Sequence, residues 1–183
     1  MNDSITPLKS CVFFDRDGIV NRHPGPGYVE RVEDFHLLPE FVDALRVVHE
    51  KGYEATIVSN QRGVARGRLT QETLDRIHDK LLTALRAEGL DLLDIFVCTS
   101  EDDANPNRKP NPGMLLEAAR EHHLDLKKSW MVGDDERDAI AGRRAGCKTV
   151  LVTAGDAPTV ADHRVSSMAE LPDLLRVLLD RVH

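Results

Sequence analysis

The chain predicts a single α/β domain, a Rossmann-like fold with a central parallel sheet and helices on both faces. Three observations predict it. Short β-rich runs alternate along the chain with longer amphipathic ones, the signature of successive strand–helix–strand units. The length of 183 residues suits one domain. The composition, 41% apolar and 30% charged, is that of an ordinary globular chain with enough apolar residues for a real core.

The first ten residues, "MNDSITPLKS", carry no periodic pattern and are expected to be a loose tail, so the domain spans 11–183. "CVFF" (11–14) is the first strand, and an amphipathic stretch near 40–51 is a helix that ends at Gly52. "YEATIVS" (53–59) is the second strand. The next helix, 70–88, opens in "LTQET" with Thr70 as its cap and Thr73 at the third position, and stops at Gly89. "DIFVCT" (94–99) is the third strand. "NPGM" places Asn111 ahead of Pro112, a residue favoured in a first helical turn, and so opens a helix over 111–123. "SWMVG" (129–133) and "KTVLVT" (148–153) are two further strands around a helix at 136–145, and a last helix covers 169–181. No internal repeat, low-complexity tract or long linker interrupts this order.

Charge and composition exclude several classes. A net charge of -7 disfavours nonspecific nucleic-acid binding, which feeds on a basic surface. The first ten residues lack the charged start and apolar stretch of a signal peptide, and no apolar run approaches the roughly 18 residues of a membrane span. The expectation is a cytoplasmic monomer with no membrane partner. Cys11, Cys98 and Cys147 form no CxxC pair and lie in or beside apolar runs, so they read as reduced core residues.

In an open α/β sheet, ligands gather at the carboxyl ends of the strands. The polar motifs of this chain fall there. After the first run come Asp15 and Asp17, with Gly18 to turn the chain. A DxD alone reads as a polar turn, but two carboxylates aimed at one point need a cation or a shared proton, and Mg²⁺ with its oxygen ligands would serve. The second run ends in "SNQRG", where Ser59 offers a hydroxyl beside a glycine turn. After the third comes "NRKPNPG", whose Arg108 and Lys109 form either a solvated pair or fixed cations for a phosphoryl group. The fourth ends in "GDDERD". The helix dipole accounts in part for Asp135, Glu136 and Asp138, but less well for Asp134, which precedes the first turn. Each motif alone is ordinary, and the ordered set is not.

That set, DxDGxxN, then S-N, then R-K, then GDxxxD, resembles the haloacid dehalogenase-type phosphohydrolases from about residue 11 to about residue 155. The strings "DRDGIVN", "GYV", "SNQRGVARG", "RKPNPGM" and "MVGDDERD" are similar to the group of D-glycero-D-manno-heptose-1,7-bisphosphate 7-phosphatases and histidinol-phosphatases. The resemblance implies a Mg²⁺-dependent phosphatase acting on a small phosphorylated metabolite. Asp15 would be the nucleophile that becomes an aspartyl-phosphate, and Asp17 the general acid and base, its pKa raised by the neighbouring carboxylate. Asp15, Asp134 and the Asp17 carbonyl would hold the metal. Ser59 and Lys109 would bind the transferring group, and Tyr28, Asn60, Gln61, Arg62 and Arg108 would line the substrate pocket.

Departures from the pattern carry their own expectations. Many members have a zinc-binding loop before the RKP motif, whereas here "CTSEDDANPNRKP" keeps Cys98 alone, so no structural zinc is expected. Both places where relatives insert a cap domain are unoccupied, which leaves specificity to the loops near 22–30, 62–68 and 101–107. Arg62 replaces a commonly small residue. Asp135, where several relatives have lysine, either joins the metal shell or favours the helix start, the second slightly preferred. Arg22, Arg62, Arg66 and Arg68 suit a second anionic group, as on a bisphosphate sugar, whereas the acids at 101–103 suit an amine such as histidinol. The arginines favour the sugar phosphate. A nucleic-acid 3′-phosphatase and a noncatalytic phosphate-binding domain are the remaining alternatives.

Overall fold

The structure, a computed structural model, describes residues 7–182. Its elements in chain order are β1 (Cys11–Phe14), α1 (Pro39–Glu50), β2 (Glu54–Asn60), α2 (Gln71–Ala87), β3 (Asp94–Cys98), α3 (Gly113–His122), β4 (Trp130–Gly133), α4 (Glu136–Ala145), β5 (Lys148–Val152), β6 (His163–Val165) and α5 (Leu171–Leu178). The strands form one sheet in the order β3-β2-β1-β4-β5-β6. Every neighbouring pair is parallel. The strand order reverses between β1 and β4, which makes the gap beyond their carboxyl ends the topological switch point of the sheet.

Alternation along the strands sorts the core into two layers. Val12, Phe14, Ala55, Ile57 and Val132 join residues of α1, α2 and α5 on one face. Cys11, Phe13, Val58 and Met131 join residues of α3 and α4 on the other. Burial on both faces explains why these strands read as near-continuous apolar runs. The cysteines are free and buried, and all three lie in the second layer. No helix among the described residues is long and apolar enough to cross a membrane.

Local signals hold with two adjustments. The Thr73 N–H donates to Thr70 Oγ at 3.0 Å, the expected cap of α2. Pro112 itself is the residue that precedes α3, one position later than the sequence implied, because the Asn111 side chain is used elsewhere, donating to the carbonyls of Asp103 and Asn105. The sixth strand was not expected from sequence: three residues are too few to show a period of two. Of the stretch expected to be a loose tail, residues 1–6 lie outside the described residues, as does His183. Within the remainder, Lys9 pairs with Leu124 and Ser10 is buried, so ordered structure begins ahead of residue 11.

Candidate active site

The carboxyl ends of β1, β2 and β4, together with the loop after β3, surround a cavity of about 410 Å³. Asp15 follows β1 directly, and its N–H donates to the Val132 carbonyl at 2.9 Å, so it extends the β1–β4 pairing into the switch point. Asp134 directly follows β4. Gly18 lets the two strand ends approach: it has φ of +90°, and a Cβ there would lie 2.0 Å from Asp134 Oδ2. Lys109 arrives from the loop before α3 and is fixed by a two-way clamp. Its N–H donates to Asn60 Oδ1 at 3.0 Å, and Asn60 Nδ2 donates to its carbonyl at 2.9 Å.

The Lys109 ammonium is buried between two acids, 2.8 Å from Asp15 Oδ1 and 2.7 Å from Asp138 Oδ1. Burial alone would lower its pKa, but the charges of Asp138 and Asp15 outweigh that and raise it. Asp138, explained in part from sequence by the helix dipole, is fully engaged. It accepts the Asp135 N–H at 3.1 Å in a capping box at the start of α4 and holds Lys109 as well. Asp135 caps the helix and forms a two-point ion pair with Arg137, which fits the helix-start role.

Asp15, Asp134 and Asp138 bring carboxylate oxygens within 4.8 Å of one another. Lys109 neutralises part of this charge, whereas Asp134 has no ion-pair partner among the described residues. Burial, then the charges of Asp15 and Asp138, push the Asp134 carboxyl up to about 8. Burial and the neighbouring carboxylates raise Asp15 as well, against the opposing pull of Lys109. An all-oxygen cluster with uncompensated negative charge fits a hard cation such as Mg²⁺, for which Asp15, Asp134 and the Asp17 carbonyl are the candidate ligands.

Asp17 overturns the expectation of a raised pKa. Burial would raise it, but the charge of Arg16 and hydrogen bonds from Asn21, Gln61 and Arg16 hold it below the usual carboxylate range. Arg16 is wholly buried and donates from Nη2 to both Asp17 oxygens, at 2.9 and 3.1 Å, and from Nε at 3.2 Å. Asn21 Nδ2 donates to Asp17 Oδ1 and Gln61 Nε2 to Oδ2, both at 2.9 Å. The carboxylate is therefore held from three sides.

The other expected site residues divide. Tyr28, Asn60, Arg62, Arg108 and Lys109 line the cavity with Asp15, Asp17 and Asp134. Arg62 Nε donates to the Tyr28 hydroxyl at 3.1 Å, which ties two of the lining residues together. Gln61 does not line the pocket, contrary to expectation. It is buried and spends its amide on Asp17 and on Ser59 Oγ, the latter at 2.8 Å, and Ser59 is buried with it. The missed residues are Arg16, Asn21, Arg137 and Asp138. The motif strings contained two signals, the N of DxDGxxN and the second D of GDxxxD.

This arrangement defines a haloacid dehalogenase-like fold with its polar cluster at the switch point. A family described as HAD-hydrolase-like matches residues 106–175. The chain is 34% identical to D-glycero-beta-D-manno-heptose-1,7-bisphosphate 7-phosphatase of Pasteurella multocida, over 93% of this chain and 99% of that protein. It is also 34% identical to the corresponding alpha-anomer phosphatase of Photorhabdus laumondii, over 80% of this chain and 84% of that one. The crystal structure of D,D-heptose 1,7-bisphosphate phosphatase from B. bronchiseptica, complexed with magnesium and phosphate, superimposes with a TM-score of 0.81 at 31% identity, covering 91% of this chain and 97% of that one. The chain belongs to this haloacid dehalogenase-like family, in the heptose-bisphosphate phosphatase group.

Proposed function

We propose that the chain is a Mg²⁺-dependent phosphomonoesterase acting on a sugar phosphate, with a heptose 1,7-bisphosphate as its substrate. One observation carries the reading: at the switch point a carboxylate, Asp15, lies against a fixed ammonium, with Asp17 two residues on along the same turn. Asp15 attacks phosphorus, the bond to the sugar oxygen breaks, and an aspartyl-phosphate forms. Asp17 gives its proton to the departing alcohol. It then takes one from the water that attacks phosphorus, releasing inorganic phosphate and free Asp15. Held as a carboxylate, Asp17 is suited to that second step, and the negative charge of an arriving phosphate favours its protonation for the first. Lys109 steadies the phosphoryl oxygens while Asp138 fixes its position. Mg²⁺, when bound, supplies the positive charge that lets a carboxylate approach a phosphate.

Identity of about a third to heptose-bisphosphate phosphatases supports the sugar substrate. The acidic loop argues against histidinol phosphate, because two of its three acids are engaged away from the substrate: Glu101 pairs with Arg66 and Asp102 accepts the Ala104 N–H. The net charge of -7 argues against nucleic-acid ends. Free buried thiols fit a reducing cytoplasm.

The test is Mg²⁺-dependent phosphate release from alpha- and beta-heptose 1,7-bisphosphates, heptose 7-phosphate, histidinol phosphate, a phosphorylated oligonucleotide end and an aryl phosphate. The heptose bisphosphates are expected to give the highest kcat/KM. Silence on the whole panel overturns the enzyme reading. Asp15→Asn is expected to abolish turnover and keep the circular dichroism spectrum; an active variant overturns the role of Asp15.

A further inference from the structure

Arg108 and Asp103 form an unequal pair. The Arg108 side chain is 4% exposed and that of Asp103 is 90% exposed, yet Arg108 Nε donates to Asp103 Oδ1 at 2.9 Å. Arg108 Nη1 donates to the Ser100 carbonyl at 3.2 Å, and the residue lines the cavity beside Arg62 and Arg137. The charges of Arg137 and Arg62 also act on the Asp103 carboxyl. A buried guanidinium left without a counter-ion is costly, whereas an exposed carboxylate returns to water at little cost. The arginine is therefore the fixed member and the aspartate the exchangeable one. Its release needs no movement of the loop backbone, because Asn111 Nδ2 holds the Asp103 carbonyl at 2.9 Å while the side chain stands in solvent.

We propose that Asp103 is an internal competitor: its carboxylate occupies the place on Arg108, in the field of Arg62 and Arg137, that a second anionic group of the substrate takes on binding. This deepens the sugar-phosphate reading and rests on it. The exchange breaks one Arg108–carboxylate contact, forms one Arg108–phosphate contact and returns Asp103 to water, with no covalent change. Asp103 then tempers selectivity: a substrate with a second phosphate has to displace it, whereas one without that group leaves Asp103 seated. A charge-assisted contact with Arg108, within the positive field of Arg62 and Arg137, favours a doubly charged phosphate over a single carboxylate.

The experiment compares KM and kcat of wild type, Asp103→Asn and Asp103→Ala, with Mg²⁺, on heptose 1,7-bisphosphate and heptose 7-phosphate. Removal of the competitor is expected to lower the bisphosphate KM roughly two- to fivefold, as befits a solvent-exposed pair, and to raise the bisphosphate to monophosphate ratio of kcat/KM. A residue that merely props Arg108 would move both quantities the other way. An unchanged or raised bisphosphate KM in both variants overturns the proposal. Calorimetric titration of the bisphosphate into Asp15→Asn protein, with and without Asp103→Asn, reads the same competition without turnover. Tighter binding is expected with Asp103→Asn, and equal or weaker binding overturns the proposal. Failure of the phosphatase reading shows separately, as no phosphate release by wild type from any ester.

Discussion

Arg16 shows how much a single buried side chain adds to the site. In the sequence it is a charge between two acids and reads as part of a solvated turn. In the fold it is wholly buried, and its fork holds both oxygens of Asp17. A point charge cannot reproduce that two-oxygen grip. Arg16→Lys is therefore expected to lower kcat on a sugar phosphate by roughly 10- to 100-fold, because a poor alkoxide leaving group depends on a well-aimed acid. On an aryl phosphate, whose leaving group needs little protonation, the loss should be much smaller. Equal losses on the two substrates would show that Arg16 does not act through Asp17. Asp15, Asp17 and Asp134 were legible because each stands in a contiguous string at a strand end, and Lys109 because it stands in one just ahead of a helix. Arg16 was not, since nothing in the sequence marks a charged residue as buried. The buried positions of Ser59 and Gln61 were hidden for the same reason.

At the level of the element, α4 is a device that joins helix start to active site. Asp138 closes the capping box and grips Lys109, so the first turn of α4 locates the ammonium. That link joins residues 29 positions apart and was masked in the sequence, where an acidic first turn already has a sufficient explanation in the helix dipole. The helices were readable from apolar periods that run over whole turns and five of the strands from their apolar runs, whereas the three residues of β6 were too few to show either. Gly133 ends β4 against this turn, and a Cβ there would lie 2.1 Å from Asp138 Oδ2. Gly133→Ala must push the Asp138 carboxylate aside and loosen Lys109 with it. A loss of stability of about 1–3 kcal/mol is expected from the overpacking, with a fall in kcat that persists at temperatures where the variant remains folded. Thermal unfolding and kinetics on the same sample check both, and full activity in a folded variant would dissociate Asp138 from Lys109 placement.

Over the whole molecule, the excess of negative charge at the switch point links stability, pH and metal. The Asp134 carboxyl stands at about 8 in the metal-free protein against an ordinary value of 3.8. The folded state then binds more protons than the unfolded one, so metal-free stability falls as pH rises; the contribution is present in full below about 3.8 and lost through about 8. Two other groups bound the useful window. Burial lowers His78 to about 4 and gives the opposite slope below about pH 6.5, while the buried Cys11 and Cys147 thiols, raised from 9.0, add a slope only in more alkaline solution. Between pH 6.5 and 8 the Asp134 slope dominates, at no more than about 2 kcal/mol across the interval and less where solvent screens it. Thermal melts in chelator should accordingly fall by a few degrees over that range. Mg²⁺ competes with the proton for the same oxygens, so its stabilising effect should grow with pH and flatten the curve. A chelated protein whose melting temperature rises from pH 6.5 to 8, or a Mg²⁺ effect that shrinks as pH rises, would remove Asp134 from the cation site.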